Sequence, residues 1–150
     1  MRISGSTTAL LLFAGSLAWA ERVPLSPEDK KAEATHILTG VVKAVYSREA
    51  ETTRYGKGTL ETHYLIEIEV RGVDKGAGIG KGDLVYARCW RLKKHGADGA
   101  RPGPSGHWAI PQEGEQVRAF LAKGKYGPTG QGDNGWAVVY PNGIEGLKSK

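Results

Sequence analysis

The stretch Tyr64-Leu65-Ile66-Glu67-Ile68-Glu69-Val70 sets Tyr64, Ile66, Ile68 and Val70 on one parity and Leu65, Glu67 and Glu69 on the other. A period of two places alternate side chains on opposite faces of an extended chain, so this segment predicts a strand with one face in a core and one toward water. A helix would need apolar positions three and four apart, and here it would carry the β-branched and acidic residues around all sides.

Working outward, Asp74-Lys75-Gly76-Ala77-Gly78-Ile79-Gly80-Lys81-Gly82 reads as a hairpin-type connection to a second strand from Leu84 to about Leu92. Val117 to Ala122 and Trp136 to Tyr140 are further strand candidates, the latter ending at the turn Pro141-Asn142-Gly143. Upstream, Ile37, Val41, Val42 and Val45 make Thr35 to Tyr46 a strand, with Gly40 marking a bulge or bend. The polar stretch Ser47 to Glu61, containing Gly56-Lys57-Gly58, reads as a loop. In Ser26-Pro27-Glu28-Asp29 a capping serine precedes a first-turn proline and an acidic residue three positions past the cap, predicting a short helix to about Ala34. Lys93 to Glu115 is a long loop rich in Gly and Pro, a kind of segment that is often functional in a compact domain. Five strands and one short N-terminal helix predict a mainly-β domain, a small barrel or alternatively a β-sandwich.

At the amino end, Arg2 precedes an apolar run from Ala9 to Leu17 that finishes in Ala18-Trp19-Ala20, a small-x-small cleavage pattern. Residues 1–20 are expected to be a signal peptide and 21–150 a single exported domain, secreted or periplasmic, beginning at Glu21. No later segment has the run of about 20 apolar residues that membrane spanning needs. A lipid anchor would require a cysteine at the cleavage point, and the single cysteine is Cys89. One cysteine also forbids an internal disulfide, so Cys89 is expected to be a buried thiol in a monomer or the link of a dimer.

The net charge is +5, and its excess lies between Asp83 and Lys125. There Arg88, Arg91, Lys93, Lys94, Arg101, Arg118, Lys123 and Lys125 face only Asp83, Asp98, Glu113 and Glu115. Such a bias suits an anionic partner, which outside the cytoplasm is an acidic protein, an anionic polysaccharide or a lipid headgroup; nucleic acid is the least expected.

The run Ala34-Thr35-His36-Ile37-Leu38-Thr39-Gly40-Val41-Val42 after a short helix, the strand Tyr64 to Val70 leading to Gly82-Asp83, and Glu113-Gly114-Glu115 before Val117 to Leu121 resemble secreted bacterial domains. Those domains are similar to the tissue-inhibitor-of-metalloproteinases and netrin-module group. The resemblance implies an OB-like five-stranded barrel. It does not imply protease inhibition, because those inhibitors chelate a zinc through an amino-terminal cysteine and brace the barrel with disulfides, whereas Glu21 stands at the expected start and Cys89 has no mate.

No enzyme motif is complete. Gly76 to Gly82 fails the Walker spacing and lacks Ser or Thr after Lys81, and the Lys81 position breaks a dinucleotide fingerprint. Gly103-Pro104-Ser105-Gly106 is one residue short of a nucleophile elbow. No His-Glu-x-x-His or Cys-x-x-Cys occurs. The expectation is therefore a non-enzymatic interaction domain without a cofactor. Two sites are candidates. If Val85, Ala87 and Cys89 point inward, Tyr86, Arg88 and Trp90 line an outward face of aromatic and guanidinium planes, which Arg101 and Trp108 of the following loop complete, with Arg91, Lys93 and Lys94 adding positive field. The alternative is a metal or redox centre of Cys89, His95 and His107, since thiolate with imidazole suits copper or zinc.

Overall fold

The computed structural model describes residues 23–53, 56–96, 106–123 and 135–147. The expected signal segment, Arg101 and most of the Gly- and Pro-rich part of the loop before the fourth strand lie outside them. The chain forms a short helix α1 (Pro27–Glu33) and the strands β1 (His36–Thr52), β2 (Thr59–Lys75), β3 (Leu84–Lys94), β4 (Gln116–Lys123), β5 (Trp136–Val138) and β6 (Ile144–Gly146). No described helix is long and apolar enough to cross a membrane.

The strands lie in the order β1-β2-β3-β5-β4-β6, and β1 also pairs with β4. β1 to β5 therefore close into a ring of five strands, with β6 pairing along the same edge of β4 as β5. The pairings are antiparallel except β3 with β5, which run parallel through Ala87↔Trp136 and Arg88↔Ala137. The ring interior holds Leu38 and Val42 from β1, Ile66, Ile68 and Val70 from β2, and Val85, Ala87 and Cys89 from β3, met by Val117, Ala119 and Leu121 of β4. These are the period-two positions of each strand, so burial of one sheet face supplies the main drive to fold.

The helix begins where the sequence predicts it. Ser26 caps it by accepting a hydrogen bond from the Asp29 backbone N–H at 3.1 Å, and Pro27 occupies the first turn. The helix lies near the outside of β4, where Ala34, Ile37, Phe120, Ala122 and Val139 form a second small core. Lys30 is buried there, its ammonium 4.9 Å from the Phe120 ring centroid and ion-paired with Glu145.

Three boundaries differ from the sequence reading. Ser47 to Glu61 is no loop along most of its length: β1 continues to Thr52 and β2 starts at Thr59, in register from Val45↔Ile66 to Thr52↔Thr59. The turn closes through Gly56 and Gly58 at φ of 105° and 80°. Beyond Val45 the arm buries polar side chains, Thr59 and Glu61, on one face and carries Glu49 and Thr62 on the other, so the apolar alternation that reports a strand is lost. The second difference is β6, whose three residues are too few to show a period. The Trp136 strand also ends at Val138, before a cis Tyr140–Pro141 bond.

Candidate functional site

The register of the arm decides where the basic and aromatic side chains meet. Cross-strand partners stack in rows: Val45, Ile66 and Ala87; then Ser47, Tyr64 and Cys89; then Glu49, Thr62 and Arg91. Ile66, Ala87 and Cys89 face the ring interior, so alternation carries the same face past the end of the core to Tyr64, Thr62, Glu49 and Arg91. An open groove of about 760 Å³ forms there, with Lys93, Leu92 and the segment His107-Trp108 also contributing to its lining. The groove is the exposed continuation of the buried face.

Its charges are arranged unequally. Lys93 pairs with Glu49 across the groove. Arg91 donates from Nη2 to the Trp108 carbonyl at 3.0 Å, a neutral acceptor, so its charge has no carboxylate partner among the described residues. That bond also ties the loop segment to β3, helped by an isolated bridge between Arg91 and Gly106 and by Trp108 N–H donating to the Pro141 carbonyl at 3.0 Å. Gly106 sits at φ 97°, and a Cβ there would lie 2.4 Å from the Trp90 carbonyl oxygen, so only glycine lets the segment approach β3 this closely. Trp108 is 45% exposed at the groove.

His107 anchors the segment from beneath. It is 3% exposed, its Nε2–H donates to the Val138 carbonyl at 3.0 Å, and its Nδ1 lies 3.2 Å from both the backbone N–H and the carbonyl oxygen of Trp90. The carbonyl partner fixes a proton on Nε2, so Nδ1 accepts from the Trp90 N–H when the ring is neutral and donates to the Trp90 carbonyl when it is protonated. Burial lowers its pKa, while hydrogen bonding to the Val138 and Trp90 carbonyls acts in the opposite direction. The ring lies edge-on to Tyr140, whose own ring stacks on Trp90 at 6.0 Å.

The residues predicted as one surface are thus divided by β3. Val85, Ala87 and Cys89 are buried, and Tyr86, Arg88 and Trp90 lie on the opposite parity. Trp90 is half covered and stacked on Tyr140, while Tyr86 is 43% exposed beside Glu67, whose negative charge raises the phenol pKa. Tyr46, 54% exposed, reaches Glu67 from β1 at 3.5 Å. Trp108 instead joins Arg91 and Lys93 on the groove side, and Arg101 lies outside the described residues. Glu49, Thr62 and Tyr64 were missed as site residues because two of them fall in or beside the stretch read as loop; the β-branched Thr59 and Thr62 were the available strand signal.

Cys89, His95 and His107 do not converge. The Cys89 side chain points into the ring interior at 0% exposure, and burial pushes its pKa up to about 12 against a smaller lowering effect of Arg91. His95 is exposed six residues further along an extended chain, roughly 20 Å at the usual strand rise of about 3.3 Å per residue. Both His107 nitrogens are engaged by backbone. Among the described residues no group of three or more His, Cys, Asp or Glu is placed to hold a metal ion. A dimer linked through Cys89 is likewise unsupported, because the one thiol is sealed inside the core.

No protein-family model, no curated protein and no solved structure matches this chain.

Proposed function

We propose that this chain is an exported, non-enzymatic binding domain, built as an OB-like barrel, that holds an anionic partner in the groove of Arg91, Lys93 and Trp108. The ring order β1-β2-β3-β5-β4 with its single parallel contact supports the barrel reading. The observation that carries the binding reading is Arg91. Its guanidinium stands in an open groove next to an exposed tryptophan, held in place by a neutral carbonyl and therefore available to a ligand carboxylate. Lys93, although paired with Glu49, contributes to the same wall. The absence of any complete catalytic motif in the sequence, the high pKa of the buried Cys89 thiol and the engagement of both His107 nitrogens support a binding role over a chemical one.

The test is binding of the full chain to a carboxylated polymer surface, compared with the neutral parent polymer, for the wild type and two single charge reversals. Arg91→Glu removes the groove cation, and Lys81→Glu makes the same change in net charge on the exposed β2–β3 connection. Binding that falls at least tenfold with Arg91→Glu and less than threefold with Lys81→Glu supports the reading. Equal losses would mean a diffuse attraction of a basic protein and would overturn it.

A further inference from the structure

We infer that the ligand of this groove is an acidic glycan, a chain of uronic-acid pyranoses, in which one carboxylate meets Arg91 while the sugar ring lies on Trp108. The inference rests on the anionic-binding reading and adds the ligand class.

The groove contains two cations and one carboxylate: Lys93 and Glu49 pair with each other, which leaves Arg91 without a carboxylate partner among the described residues. A peptide rich in Asp and Glu places a carboxylate on nearly every residue, and with Lys93 engaged by Glu49 only Arg91 is left to receive one. A uronate carries one carboxylate per ring and several hydroxyls. Its carboxylate matches the planar fork of Arg91, and its hydroxyls donate to the Glu49 carboxylate and exchange hydrogen bonds with the Thr62 hydroxyl. One cation for one carboxylate, with hydroxyls for the remaining polar groups, thus suits the sugar acid better than a polyanionic peptide.

The aromatic residues favour the same class. Trp108 is 45% exposed, yet its backbone is fixed by hydrogen bonds to Arg91 and Pro141. A large ring held at the mouth of a polar groove offers an apolar plane with little conformational entropy to lose on binding. The C–H face of a pyranose covers such a plane, whereas extended peptide acids do not. Tyr64, half-buried in the same row as Cys89, gives the groove floor a second ring with a hydroxyl that can serve as donor or acceptor. An open groove rather than an enclosed cavity also lets a polymer enter and leave at both ends.

The experiment is calorimetric titration of the full chain with three probes of similar length: tetragalacturonate, its methyl ester and tetraglutamate. The expected result is saturable binding of tetragalacturonate, at least tenfold weaker binding of both the ester and the peptide, and at least a tenfold loss with Trp108→Ala or Arg91→Gln. Both variants change exposed side chains, and unchanged far-UV circular dichroism and thermal midpoint establish that they fold. Tetraglutamate binding as tightly as the sugar acid, with Trp108→Ala neutral, would overturn the glycan inference and leave an anion-binding groove standing. Failure of every carboxylated probe to show Arg91-dependent binding would overturn both.

Discussion

Replacing Gly40 by alanine should destabilise the protein by about 2 kcal/mol. Gly40 lies where β1 is paired on both sides, to Val70 of β2 and Val117 of β4, at the seam that closes the ring. An added Cβ would lie 2.5 Å from Ile68 Cγ2 and 2.6 Å from the Glu69 carbonyl oxygen. The first contact involves a side chain packed at 0% exposure, and the second is backbone in a paired strand, so neither neighbour can withdraw alone. Overpacking of this kind costs about 1–3 kcal/mol, and the backbone contact places it in the upper part of that range. Against it stands the entropy that alanine removes from the unfolded chain, worth about 0.4–1 kcal/mol in favour of folding. The φ angle of Gly40 is not positive, so conformational strain adds nothing. In urea denaturation followed by tryptophan fluorescence, with a slope of about 2 kcal/mol per molar, the midpoint should drop by about 1 M with the slope unchanged. Gly146→Ala is the control. Gly146 has ordinary φ and nothing within 4 Å of an added Cβ, so the entropic effect acts alone and the midpoint should stay level or rise slightly. Equal midpoints for the two variants would refute the steric account of ring closure.

Two further outcomes follow from the buried groups. Because burial lowers the His107 pKa, the unfolded state binds more protons than the folded state once pH falls through the ordinary histidine value near 6.5; stability should therefore decline below about pH 7 and level off below the folded-state pKa. His107→Gln removes this component, so the wild type should lose more stability than the variant between about pH 7 and 5, and parallel curves would contradict the assignment. Cys89, with its pKa raised to about 12 inside the core, should resist a thiol-reactive disulfide reagent at pH 8 in the native protein and react fully in denaturant; stoichiometric native labelling would show that the interior opens.

The sequence by itself determined the strand identities and their buried faces. Val85, Ala87 and Cys89 alternate with Tyr86, Arg88 and Trp90, and Ile66, Ile68 and Val70 alternate with Glu67 and Glu69, because a strand with a core on one side must segregate its side chains with period two. The helix start was equally legible, since Ser26 and Pro27 act on backbone groups within one turn. What only the tertiary structure decided is the arm and the groove. Past Val45 and Tyr64 the buried positions are the polar Thr59 and Glu61, so apolar alternation stops and Glu49 and Thr62 carry no local sign of the face they occupy. Arg91 belongs with them through the β2–β3 register, and Trp108 through a segment anchored to Trp90, Val138 and Pro141, residues distant in sequence. Local chemistry decides which way each side chain points, but pairing across the ring decides which of them meet, and that depends on contacts no short stretch contains.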